Sequence, residues 1–102
     1  MTREEERENL RLAAKVVGQE LCRWWNPLIH TDDATRLAYL LNLDVQHGKN
    51  FVRVSGVVPW APLNNVTVTA TMDNPEKHRM KAEREAIVRV AAEIGRKMGD
   101  AE

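Results

Sequence analysis

The residues of this chain that could do chemistry are three histidines, one cysteine and a pair of adjacent aspartates. His30, Asp32 and Asp33 lie together in "NPLIHTDDATRL", whereas Cys22, His47 and His78 stand apart from them. Acid–base catalysis needs two carboxyl groups set on opposed sides of a substrate, with their pKa values pushed apart. Two successive aspartates ahead of an apolar helical pattern do not offer that. They read as the start of a helix, where carboxylates meet the positive end of the dipole. A zinc centre needs three or four converging ligands. No two histidines have metal-ligand spacing and Cys22 is remote from all three, so no metal site is read. Nucleophile-elbow, P-loop and dinucleotide-binding motifs are missing as well. The pattern points away from catalysis, and no cofactor is expected.

Binding is the other way a small protein acts, and two features bear on it. The first is the segment "PEKHRMKAEREAIVRVAAEIGRKM". It carries Lys77, Arg79, Lys81, Arg84, Arg89, Arg96 and Lys97 against Glu76, Glu83, Glu85 and Glu93. Such a helix could contact phosphates. However, Glu85–Arg89 and Glu93–Lys97 have the i,i+4 spacing of self-neutralising surface pairs. The whole chain also balances 15 basic against 15 acidic residues. Accessory nucleic-acid binding through this helix is therefore the alternative reading and not the main one.

The second feature is "WWNPL". Two of the three tryptophans are neighbours, at Trp24 and Trp25. Neighbouring residues on a helix point about 100° apart, so the two rings cannot fill one pocket. Trp24 continues the apolar stripe before it and reads as core. Trp25 then lies over the Asn26-Pro27-Leu28 turn, half exposed, with Asn26 closing the turn through its side-chain amide. Trp60, in "PWAP", is the other tryptophan expected to show. The partner-binding candidates are thus Trp25, Asn26, Pro27, Asp32 and Trp60. On this reading Trp24→Ala is close to unfolding, while Trp25→Ala costs about 1–2 kcal/mol.

These residues are positioned by six elements. With 102 residues the chain holds one domain, spanning 1–102. Thr2 and Glu5 have capping-box spacing, and Leu10, Ala13, Ala14, Val17, Leu21 and Trp24 make a helical stripe, so the first helix is read from Thr2 to about Arg23. Gly18 inside it reads as a weak point. A second helix is read from Asp33 to Leu41, capped by Thr31 or Asp32, with Asn42 in the left-handed position after it and Leu43 packing back. "LDVQ" and "FVRVSGVV" flank the turn residues "HGKN" and form a hairpin. After a stiff connection from Pro59 to Pro62, "NNVTVTATM" alternates strictly. Val66, Val68, Ala70 and Met72 share one face, and Thr67, Thr69 and Thr71 the other. Asn74 and Pro75 start a last helix that carries Met80, Ile87, Val90, Ala91, Ile94 and Met98 as its stripe and ends at Gly99. The order is α-α-β-β-β-α, an α+β fold with a small antiparallel sheet of three strands, or four if one more is hidden. If both sheet faces are covered, it is a three-layer α-β-α sandwich.

A single cysteine excludes an internal disulfide. "MTREEERENL" is charged where a signal peptide is apolar, and no stretch approaches the roughly 20 apolar residues of a membrane span. The expected location is the cytoplasm, away from membranes. The strand "VTVTAT" carries neither proline nor charge. If it lies at a sheet edge, nothing guards that edge, and a homodimer by strand pairing or edge packing is expected.

"WWNPLIHTDDATRLAYLLNLDV" together with "AIVRVAAEIGRKM" resembles the phage ABA sandwich domain family, small phage and prophage proteins of unknown function. The matching pieces are Trp25 to Val45 and Ala86 to Met98, about a third of the chain. Such sequences carry a Trp-Asn-Pro-Leu corner, an acidic pair, an amphipathic helix and a terminal helix in this order. Asn42 stands where they usually have glycine, and asparagine can hold the same backbone angles. The resemblance implies a sheet held between helical layers and a phage or prophage origin in a bacterial host cell. It implies no catalytic residue. Together these readings describe a non-catalytic module that binds a phage or host protein. The alternatives are the accessory nucleic-acid binder and, further off, a small hydrolase.

Overall fold

The computed structural model describes residues 2–18, 25–58 and 61–101. The expectations for Cys22, Trp24 and Trp60 lie outside these residues. Helix α1 (Arg3–Val17) begins where the spacing placed it, since the Glu5 N–H donates to Thr2 Oγ1 at 3.2 Å. One turn on, the Arg11 guanidinium grips Glu8 and holds its carboxyl below the usual carboxylate range. The helix ends at Val17 with Gly18 as its cap, and the rest of the expected stretch to Arg23 lies outside the described residues. Gly18 adopts φ 68, and its N–H reaches back to the carbonyls of Ala14 and Lys15. What reads as an interior weakness is the cap, because glycine enters the left-handed region at no steric cost.

The cap of helix α2 (Thr31–Leu40) lies one residue before Thr31 and two before Asp32, the two expected caps. His30 takes the cap position with no side-chain bond, so Thr31 and Asp32 lie inside the first turn. Its far end is the one the sequence predicts. Asn42 sits at φ 53, the Asn42 N–H donates to the Tyr39 carbonyl at 3.1 Å, and the Leu43 N–H donates to the Ala38 carbonyl at 2.9 Å. That pair of bonds is a Schellman motif, and half-buried Leu43 packs against the core.

Strands β1 (Asp44–His47), β2 (Phe51–Val58) and β3 (Ala61–Thr71) form an antiparallel sheet in the order β1-β2-β3. Val54 lies between Val45 and Val68, and Gly56 faces Val66. The pairing of Val57 with Asn65 but of Val58 with Ala61 leaves residues 62–64 as extra length on β3. Ala61 and Pro62 therefore belong to the strand and not to the connection.

Helix α3 (Pro75–Ala101) is capped by Asn74, whose Oδ1 accepts from the Lys77 N–H at 3.3 Å. It passes through Gly99 without stopping, because that residue keeps helical angles and supplies no left-handed cap. This helix is the centre of the molecule. It packs on β2 and β3 with one side, while α1 and α2 pack against it. Val88 and Ala92 are therefore as buried as Val90 and Ile94, and the expected single stripe is too narrow. The stripe also fails at its start, where Met80 is 60% exposed.

All three helices lie on the Val52–Val54–Val58 side of the sheet. On the other side Arg53, Val57, Asn65, Thr67, Thr69 and Thr71 are exposed. Among the described residues no second helical layer covers that face. The fold is α+β, as the sequence predicts, and among the described residues the helices cover one face of the sheet, with α1 and α2 both packed on α3.

Candidate interaction surface

The Trp25–Asp33 corner is closed from within. The Asn26 N–H donates to Asp33 Oδ2 at 2.9 Å, and Asn26 Oδ1 accepts from the Leu28 N–H at 3.1 Å. The Asn26 carbonyl accepts from the N–H groups of Ile29 and His30, at 3.1 and 2.8 Å. Arg84 then reaches across from α3. Its Nε donates to the Leu28 carbonyl at 3.0 Å, and its Nη1 to Thr31 Oγ1 at 3.1 Å. Pinned this way, the turn is held against α3, with Trp25 and Pro27 turned inward while Ile29 stays 65% exposed. Trp25 is only 9% exposed, and Pro27 is fully buried.

The expected visible corner of Trp25 and Pro27 is therefore overturned. Asn26 is half-buried and spent on turn bonds, while Asp32 remains exposed. The carboxylate that organises the corner is Asp33, which the sequence reading took only as part of a helix start. Arg84→Ala should destabilise the protein by about 1–2 kcal/mol, since it strands a part-buried carbonyl and frees the turn. A chemical denaturation midpoint measures it, and an unchanged midpoint would show that the clamp contributes nothing.

Other cations of α3 are committed in the same fashion. Arg79 Nη2 donates to the carbonyls of Gly48 and Lys49, at 2.8 and 3.0 Å, and ties the β1–β2 turn to the helix. Its Nη1 lies 3.2 Å from His47 Nδ1, which must accept because a guanidinium only donates. His47 Nε2 faces Glu83 at 3.8 Å. Arg96 bridges Glu93 and Asn9, each at 3.1 Å. Glu93 thus meets Arg96 at i+3, where Lys97 was expected at i+4. Arg79, Arg84 and Arg96 hold the fold together, which leaves less of the helix's positive charge for a phosphate backbone. Apart from Glu93, these partners lie far off in the sequence, so no local spacing could have shown them. Among the described residues, no three histidine, cysteine, aspartate or glutamate side chains converge on a point where a metal could sit. No described helix is long and apolar enough to cross a membrane.

A different surface stands out by its composition. Between Arg53 and Asp73 the chain has no charged residue and no histidine, although 29% of all residues are charged. Among the described residues, the exposed members of that stretch are Val57, at 45% exposure, with Asn65, Thr67, Thr69 and Thr71. They line the open face of the sheet, and β3 is also its edge. Arg53 bounds the patch, its guanidinium 5.3 Å from the centre of the Phe51 ring and its Nε 3.4 Å from Thr69 Oγ1. At the far end a shallow cleft of about 500 Å³ runs between Asn42, Asp44, Ser55, Val57 and Asn65. Beyond Asn42 lies Tyr39, 83% exposed. The alternation in "NNVTVTATM" showed this face, but the sequence did not say that it would be left open.

No family model, no curated protein and no solved structure matches this chain.

Proposed function

We propose that this chain is a non-catalytic protein-binding module, encoded by a phage or prophage, which engages its partner with the open side of its sheet around β3. The observation that carries the reading is the absence of charge from an exposed edge strand in an otherwise charge-rich chain. Interface centres are depleted of charge relative to the rest of a surface. Edge strands without a partner normally carry lysine, proline or inward charges that block pairing. From Asn65 to Thr71 this strand has none of them. The phage origin rests on the resemblance carried by Trp25 to Val45 and Ala86 to Met98.

The test is retention of a protein from host-cell extract by the immobilised chain. The double substitution Thr67→Lys with Thr69→Lys should abolish retention. Both sites are exposed, so the protein should stay folded, with a modest loss of thermal stability because Thr69→Lys gives up the bond from Arg53 and places a second cation opposite it. Arg7→Glu, on the exposed side of α1, should leave retention intact. Salt-sensitive retention on DNA or RNA that survives both lysines would instead favour the nucleic-acid reading through α3.

A further inference from the structure

We propose that the partner at this edge is a second copy of the same chain, with β3 paired antiparallel to its counterpart about a two-fold axis. The two three-stranded sheets then run on as one. The inference deepens the binding reading above and rests on it, since both place the contact on β3.

Strand β3 pairs with β2 from Asn65 to Thr71 on one side and, among the described residues, has no strand on the other. Helix α1 packs on α3 and not along β3. It leaves an open cleft of about 490 Å³ between Glu5 and Asn9 on one wall and Val66, Thr67 and Val68 on the other. A two-fold contact is isologous, so each residue meets itself or a near neighbour. A charge at the axis would face its own sign, and one elsewhere on the strand would need an opposite charge at the matching position. An uncharged strand suits self-pairing, and a strand evolved for a charged partner has no need of it.

The register also works. Centred on Val68, it sets Thr67 opposite the partner's Thr69 and Asn65 opposite the partner's Thr71 on the outer face. Val66 faces the partner's Ala70 on the inner face. Threonine pairs across antiparallel strands are favourable, and like meets like on both sides of the sheet. Both copies then keep their helices on one face. Burial gives an independent indication. On β2 the inner-face Val52 and Val54 are fully buried, whereas their β3 neighbours Ala70 and Val68 are only half-buried. A second copy would cover them.

Sedimentation equilibrium from low to high micromolar concentration tests this. The wild-type chain should approach twice its mass of 11.6 kDa. The double variant Thr67→Lys/Thr69→Lys should dimerise at least about tenfold more weakly, and so should Thr67→Glu/Thr69→Glu. Mixing the two variants should restore association, because lysine then faces glutamate. Circular dichroism melting checks that each variant is folded. A wild-type mass that stays monomeric throughout overturns the proposal, as does a lysine variant that dimerises undiminished. If the wild type is monomeric yet the lysine variant still loses a protein captured from extract, self-pairing falls and the binding reading stands. If the wild type dimerises as described and nothing else is retained, self-pairing stands and the reading of a phage or host partner falls.

Discussion

Trp25→Ala is expected to lower the unfolding free energy by about 3–5 kcal/mol, the cost of truncating a buried tryptophan. The ring is 9% exposed and belongs to the main apolar cluster with Ala34, Leu37 and Ala86. It cannot swing out, because the next residue is bonded to Asp33 and the turn beyond is held by Arg84. A cavity left under a clamped turn collapses poorly, which places the cost toward the upper end. Domains of this size are stable by about 5–15 kcal/mol, so the variant should be near its folding limit. A urea titration followed by circular dichroism measures the loss. Trp25→Phe should recover a large part of it by refilling the cavity. A loss of only about 1–2 kcal/mol, the value for a half-exposed ring, would mean that the corner opens in solution.

Gly95→Ala should also destabilise, by about 1–3 kcal/mol, although glycine to alanine inside a helix ordinarily gains close to 1 kcal/mol. The reversal comes from the crossing of α1 and α3. A β-carbon on Gly95 would lie 2.6 Å from the Leu12 carbonyl oxygen and 3.1 Å from a methyl of Val16. The oxygen belongs to helix backbone and cannot move aside like a side-chain tip, so the two helices must separate. They meet through small residues, with Ala13 and Ala14 buried on α1 and Ala91 and Ala92 on α3. Little can be repacked there to absorb the shift. The midpoint of a urea titration gives the sign directly, and any gain in stability would show that α1 and α3 approach less closely than this.

The two predictions separate local from distant causes. Thr2, Asn42 and Asn74 each declare a helix boundary, because a cap is an exchange of hydrogen bonds among residues two to six apart. The hairpin at "HGKN" and the two faces of β3 are legible for the same reason, since alternation and turn chemistry are properties of a short window. Gly18 is an instructive miss. Its position one turn after an alanine pair fits a helix interior as well as a cap, and the choice between them depends on where the following chain goes.

The sequence by itself determined the α+β order, three of the caps, the inner face of the sheet and the charge-free run from Val54 to Met72. Only the tertiary structure decided what those features face. It put Trp25 and Pro27 inside, because Arg84, more than fifty residues away in the chain, holds their turn against α3. Arg79 and Arg96 became clamps, because carbonyls and an asparagine from other elements came within reach. It also drew both other helices onto α3, which buries the middle of that helix, from Ala86 to Gly95, nearly all round, and among the described residues leaves the threonine face of the sheet bare. Burial and long-range pairing depend on which surfaces meet, and a residue's neighbours in sequence carry no record of that.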